Sequence, residues 1–373
     1  MRIGILTLPL HTNYGGILQA YALQTVLERM GHEVVVFDTP KKMWLSRLGN
    51  MILRTCSFLK QEKRCNLLFA NRGNLQQAVI SHDIMSFLKN QIKRREVTCF
   101  DELKPDDYDA IVVGSDQVWR AIYFPAWNGQ LIENAFLAFA QGWNIKRIAY
   151  AASFGTDNWE YSDEQTKKCG KLLKDFDAVS SRESNGVKLC KIKFDVNAQH
   201  VLDPTMLLNI EDYKCLFQKA NTPKSRGTLL NYVLDATEKI NNLIDNIAIE
   251  KQLIPFAVNN PFEHDRTKPL QKRIKPSVET WLRGFYDAEF VITDSFHACV
   301  FSILFKKQFV VVGNKERGMS RFESLLKMFG LEDRLVDETT EMEKLKFIDY
   351  KEVFKNLDVL RSKSIGFLKQ NLL

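Results

Sequence analysis

Short apolar runs and stretches with helical spacing alternate along most of the chain. Arg2 to Leu8 is an apolar run of strand length, His11-Thr12-Asn13-Tyr14-Gly15-Gly16 is a turn, and Ile17 to Met30 spaces Leu18, Tyr21, Ala22, Val26 and Met30 on or near one helical face. Gly31 stops that helix, and Glu33 to Phe37 form the next strand. This is a β-α-β unit with a glycine turn at its first crossover. Further strands are expected at Tyr108–Val113, Arg147–Ala152, Ala178–Ser181 and Ala198–Val201, with an amphipathic helix over Asp163–Phe176. The Asp203-Pro204 turn interrupts the rhythm.

Beyond it the alternation resumes. Strands at Thr228–Leu234, Ile254–Val258, Phe290–Thr293 and Phe309–Val312 alternate with helices at Thr237–Lys251, Ser277–Tyr286, Ala298–Phe305 and Ser320–Phe329. Ser277 is placed to cap its helix and Gly330 to end the last one. Residues 259–275 read as a loop, and the tail from about Glu341 as an amphipathic helix. The pattern predicts an α/β protein of two Rossmann-like doubly wound domains facing a cleft. The expected divisions are residues 1–204 with a helical insertion at about 41–100, residues 205–335, and a tail over 336–373.

Charge sharpens the insertion. Between Lys41 and Arg95 twelve Lys and Arg face only Glu62 and Asp83, so this stretch exceeds the whole chain's net +7. Two or three helices are expected there, mixing these cations with Trp44, Leu45, Leu48, Met51, Ile52, Leu53, Phe58 and Leu59. A basic amphipathic face suits an anionic membrane surface or an acidic substrate, and equally a solvated helix. No nucleic-acid-binding motif is present.

Other classes fall away. No apolar run approaches the ~20 residues that span a bilayer, and the apolar start is too short for a signal peptide, so a cytoplasmic location is expected. The seven cysteines are scattered without a Cys-x-x-Cys, which fits reduced thiols rather than disulfides or a zinc knuckle. Cys299 neighbours His297 but reads as core. Gly-x-Gly-x-x-Gly is absent, so no dinucleotide fingerprint exists.

Candidate chemistry collects just past strand ends, where open α/β sheets bind ligands. The turn Thr293-Asp294-Ser295 followed by His297 puts backbone N–H groups, a helix dipole and a titratable ring at one strand tip. Asp294 or Ser295 as a simple cap is the plainer reading of that turn. Gly114-Ser115-Asp116-Gln117-Val118-Trp119 follows another strand, offering Asp116 as a base and Trp119 as a sugar platform. Arg182-Glu183 follows a third.

Seven segments then resemble, in order, the blocks of the polysaccharide pyruvyl transferase family. They are Asn-Tyr-Gly-Gly-Ile-Leu-Gln-Ala-Tyr-Ala-Leu-Gln (13–24), Val-Gly-Ser-Asp-Gln-Val-Trp (113–119), Tyr-Ala-Ala-Ser-Phe-Gly (150–155), Ser-Ser-Arg-Glu-Ser (180–184), Leu-Asp-Pro-Thr-Met-Leu-Leu (202–208), Thr-Asp-Ser-Phe-His-Ala (293–298) and Ser-Arg-Phe-Glu-Ser-Leu-Leu (320–326). The resemblance covers roughly residues 1–335. It implies the two-domain fold called GT-B and transfer of a pyruvyl group from phosphoenolpyruvate to two hydroxyls of a sugar in a bacterial surface polysaccharide, giving a ketal and phosphate. It implies no metal or nucleotide cofactor, and often a lipid-linked acceptor at the inner membrane face.

Carried onto this sequence, the resemblance makes His297 the donor-binding and catalytic histidine and Arg182 the donor arginine, with Ser295 and Arg321 in the same cluster. Asp116 is the expected acceptor-side base. Asn13, Gly15, Gly16, Ser115 and Trp119 would shape the acceptor side or cleft. The chain departs from the family at residue 295, where a serine stands in place of a usual arginine. Lys315, Arg317 and Arg321 follow as alternative cations. A nucleotide-sugar glycosyltransferase on the same fold is the first alternative, disfavoured by the lack of a Gly-rich loop in the second half. A catalytically lapsed scaffold of polysaccharide assembly is the second, disfavoured by the polar residues at so many strand ends.

Overall fold

A computed structural model describes residues 1–11, 13–39, 76–128, 131–313, 318–337, 340 and 345–372. The first half runs β1 (Arg2–Leu6), α1 (Tyr14–Arg29), β2 (Glu33–Asp38), α2 (His82–Gln91), β3 (Arg94–Glu96), β4 (Ala110–Val113) and α3 (Tyr123–Asn128). It continues through β5 (Lys146–Ala152), α4 (Asp163–Leu173), β6 (Ala178–Ser181), α5 (Ser184–Phe194) and β7 (Gln199–His200). The second half runs α6 (Ile210–Lys219), β8 (Leu229–Tyr232), α7 (Glu238–Glu250), β9 (Pro255–Phe256), α8 (Val278–Asp287), β10 (Phe290–Thr293), α9 (Phe296–Leu304), β11 (Gln308–Val312), α10 (Ser320–Phe329), β12 (Leu335–Val336) and α11 (Tyr350–Leu372).

The strands form two wholly parallel sheets. The first has the order β3-β2-β1-β4-β5-β6-β7 and the second β12-β11-β10-β8-β9. Strands buried on both faces explain the unbroken apolar runs: every residue of β4 and of β10 is buried. Each order reverses once, between β1 and β4 in the first sheet and between β8 and β10 in the second. Loops that leave the carboxyl ends of strands at such a reversal diverge and open a crevice.

Local chemistry sets the boundaries. α1 begins at Tyr14, ahead of the apolar periodicity, because Asn13 Oδ1 accepts from Gly15 N and Gly16 N. Ser277 caps α8 as expected, and Gly330 closes α10 at φ 65°. The helical expectation for 41–100 falls largely on 40–75, outside the described residues. In its described part α2 is helical as expected, but Arg94–Glu96 departs from the expectation as a strand that extends the sheet edge beside β2. There Lys93, Arg94 and Arg95 pair with Glu28, Asp38 and Asp107, so these three cations are matched within the fold. No described helix is long and apolar enough to cross a membrane.

The two sheets are joined at several points. Tyr14 of α1 stacks on Trp281 of α8, and its hydroxyl donates to the Pro276 carbonyl (2.6 Å). Arg29 makes a two-pronged bond to Asp212 of α6. α11 returns to the first sheet: Ser364 Oγ accepts from Leu202 N, Lys146 donates to the Asn371 carbonyl, and Phe367 lies beside Tyr150.

Candidate active site

The carboxyl ends flanking both reversals converge on one cavity of ≈ 90 Å³. β1 leads to Asn13 and Gly15, β4 to Asp116 and Gln117, β8 to Tyr232 and Leu234, and β10 to Asp294, Ser295 and His297, all of which line it. Arg120, Tyr123 and Arg321 complete the polar wall. A larger hollow of ≈ 440 Å³ lies at the amino end of β5, beside Trp143 and Arg147. Arg147 there donates to the carbonyls of Ala140, Trp143 and Ile145, so its guanidinium is occupied and the chemistry lies elsewhere.

His297, in the first turn of α9, reaches across to the first domain. An added Cβ on Gly15 would stand 2.0 Å from its Nδ1. Its other nitrogen, Nε2, is buried without a hydrogen bond and lies 3.7 Å from Asp203 Oδ2. Phe296 sits edge-on to the ring. Behind this surface Arg182 joins the acids: Nη1 donates to Asp203 Oδ2 (2.8 Å) and Nη2 to Asp116 Oδ1 (3.0 Å). Its guanidinium also covers the face of Phe296 at 4.4 Å.

Burial of these carboxyls is opposed by their partners. It would push Asp116 up, but the charge of Arg182, with Arg321 behind it, holds it below the usual carboxylate range. Asp203 is likewise held far below that range against burial, by His297, Arg182 and Thr205. For Glu183, burial prevails over Arg182 and the carboxyl is pushed up. Burial and the nearby Arg182 bring Arg321 down to about 10, which leaves it charged near neutrality. Asp116 also holds a left-handed backbone at φ 64°, a strained state for a residue with a side chain and one found more often at functional sites.

The structure thus gathers Asn13, Gly15, Asp116, Ser295, His297 and Arg321 around one space. Gly16 stands one step back, with the place of its missing Cβ 3.6 Å from Asp116 Oδ2. Three further expected residues also do not line the cavity. Trp119 is fully buried, stacked on Phe136, and its indole donates to the Ala135 carbonyl, so it is a core residue and no sugar platform. Ser115 is buried and donates to Asp203 Oδ2. Arg182 is committed to two carboxylates and is 2% exposed. Asp294 is not a helix cap either: its carboxylate accepts from Leu234 N and Asp235 N, holding the loop after β8. Ser295 takes the N-cap position with no side-chain cap bond, and Cys299 is core. Lys315 and Arg317 lie outside the described residues.

Two residues escaped the sequence reading. Arg120, next to the quoted 113–119 block, donates through Nε and Nη2 to Glu160 Oε1 and lies 4.3 Å from the Tyr123 ring. Asp203 reads in sequence as a mere turn, and only the fold brings it to His297. Among the described residues no group of His, Cys, Asp and Glu is arranged to hold a metal.

The sequence matches the family model for polysaccharide pyruvyl transferase over residues 13–316. No curated protein matches it. Among solved structures, it is similar to a Listeria monocytogenes protein assigned as a UDP-N-acetylglucosamine 2-epimerase, with TM-score 0.50 and 11% identity over 99% of this chain and 91% of that one. A Rickettsia africae glycosyltransferase gives TM-score 0.49 and 10% identity over 99% and 94%. UDP-GlcNAc 2-epimerase from Neisseria meningitidis, bound to UDP-GlcNAc, gives 0.46 and 11% over 99% and 93%. The likeness to the Listeria protein is one of fold alone, and with the two parallel sheets it gives two Rossmann-like domains facing a cleft, the GT-B arrangement.

Proposed function

The chain belongs to the polysaccharide pyruvyl transferase family, and from that premise we propose that it transfers the pyruvyl group of phosphoenolpyruvate to two hydroxyls of one sugar in a surface polysaccharide or its lipid-linked precursor. The observation that carries this reading is the meeting of His297, Arg321, Arg120 and Asp116 in one small cavity at the strand reversals of both sheets.

The donor bears a phosphate and a carboxylate, so it needs several cationic donors in a dry site. Arg321 and Arg120 line the cavity beside Ser295 and supply the positive charge that the serine lacks. Arg182 acts behind them by fixing Asp116 and Asp203. One sugar hydroxyl adds to C2 of the donor while C3 takes a proton and becomes a methyl. The second hydroxyl then adds to C2 as the C2–O bond to phosphate breaks, and phosphate leaves. One hydroxyl proton balances the methyl and the other leaves with phosphate. His297 and Asp116 are the groups proposed to move these protons, His297 on the donor side and Asp116 on the acceptor side. No metal or cofactor enters the scheme.

The basic stretch 41–95 is proposed to draw the protein to an anionic membrane face, which a lipid-linked acceptor would require. Neutralising its cations outside 93–95 and recovering unchanged flotation with anionic vesicles would remove that part. The donor is tested by thermal shift with phosphoenolpyruvate against nucleotide-sugars. Stabilisation by phosphoenolpyruvate alone supports pyruvyl transfer, by nucleotide-sugars alone a glycosyltransferase, and by neither a scaffold.

A further inference from the structure

Asp203 lies at the crossover between the sheets, is 2% exposed and is held from four directions. Ser115 Oγ (3.0 Å) and Arg182 Nη1 (2.8 Å) donate to Oδ2. Thr205 donates to Oδ1 from its N (3.1 Å) and its Oγ1 (2.7 Å). Such a web fixes the carboxylate in place, with Oδ2 directed at His297 Nε2 3.7 Å away. Nε2 is buried and makes no hydrogen bond. The opposite nitrogen, Nδ1, rests against Gly15 in the first turn of α1, where the helix N–H groups and dipole place partial positive charge.

The two sides of the ring therefore differ in sign. A proton on Nε2 meets a fixed carboxylate, whereas a proton on Nδ1 meets the positive end of a sixteen-residue helix. Both environments select the same tautomer. The other charged groups around this end of the site are Asp116 and Arg120 after β4, Arg182 after β6, Arg321 of α10, and Asp294 before α9, with Arg120 paired to Glu160. Asp116 and Arg182 pair with each other, and Asp294 bonds the loop after β8, so neither acid replaces Asp203 at Nε2.

We propose that Asp203 is the positioning residue of His297: it holds the ring proton on Nε2 and leaves the Nδ1 lone pair to exchange protons with what enters the cleft. Asp203 touches neither donor nor acceptor and acts through the ring. The proposal rests on the proton-transfer role assigned to His297, but its test is independent of the donor.

The test is nitrogen-15 NMR of the imidazoles in the full-length protein near neutral pH. The chain has six histidines, and the His297 signals are those lost in His297→Ala. The expected result is a neutral ring protonated on Nε2, with Nδ1 showing the shift of an unprotonated nitrogen. Asp203→Asn is expected to move population toward the Nδ1–H tautomer and to lower kcat while leaving the donor KM unchanged. An Nδ1–H tautomer in the wild type, or unaltered populations in Asp203→Asn, would overturn the proposal. If Asp203→Asn does not fold, the wild-type tautomer decides alone. A negative donor assay leaves this readout intact, and a wrong tautomer leaves the donor assignment intact.

Discussion

The His297 ring fills the space that a side chain on Gly15 would need, with Nδ1 2.0 Å from the missing Cβ. A ring carried by one domain thus rests on the backbone of the other. Gly15→Ala is expected to displace the ring or part the domains, because neither a helix backbone nor a buried ring yields that distance. Overpacking of this kind costs about 1–3 kcal/mol of stability, and misplacing a catalytic group by an ångström costs about 100-fold in rate. Thermal melting with a turnover assay checks it. Wild-type turnover in Gly15→Ala would show that the contact is unnecessary.

Arg182 is the structural cation of the site. Removing it takes from buried Asp116 and Asp203 the guanidinium that donates to both, so Arg182→Met is expected to destabilise the protein by about 3–5 kcal/mol. In denaturant unfolding the loss should shrink as the solution is acidified. Both carboxyls are held below their unfolded values near 3.9. Their contribution is therefore complete above that value and is lost as pH falls through the depressed folded-state values. A pH-independent loss would contradict the ion-pair account.

Glu183 carries the opposite sign. Its pKa is raised by burial, so the charged form is disfavoured by folding. That penalty is absent below the unfolded value near 4.3 and grows as pH rises through the folded-state value. Glu183→Gln keeps an acceptor for the Phe154 N–H and is expected to raise stability at neutral pH but not at pH near 4. Equal effects at both pH values would refute this.

Arg321 and Arg120 line the cavity beside Ser295 and are the cations proposed to hold the donor's anionic groups. Replacing either by alanine should weaken phosphoenolpyruvate binding by about 10- to 100-fold, the range for a charged hydrogen bond of roughly 1.5–3 kcal/mol. Titration calorimetry reads this directly. Unchanged affinity in both variants would move the anion site elsewhere.

The sheets were legible because buried parallel strands leave unbroken apolar runs: Phe290–Thr293 and Ala178–Ser181 are strands to the residue. α5 and α6 were missed. In α5, Lys188, Lys191 and Lys193 interleave with apolar residues and blur the helical face. In α6, the short apolar set was masked by Glu211, Asp212 and Lys214. β3 was missed because Arg94-Arg95-Glu96 is a strand only through pairing with β2 and with distant acids. Within the site, strand-end polar residues were visible, but their sharing was not. Trp119 and Asp116 lie in one block, yet one faces the core and the other the cavity. Arg182 was legible as a site cation, but Asp203 and Asp116, which accept from its Nη1 and Nη2, lie 21 residues after and 66 residues before it in sequence.

Phosphate release from phosphoenolpyruvate, supplied with a pool of cell-derived oligosaccharide acceptors and compared between wild type and His297→Ala, tests the central claim most directly. The account predicts acceptor-dependent release by the wild type, matched by pyruvyl uptake into the saccharide, and loss of both in His297→Ala. Equal release by the two proteins would contradict the role of His297. Release without pyruvyl uptake would contradict the transfer itself.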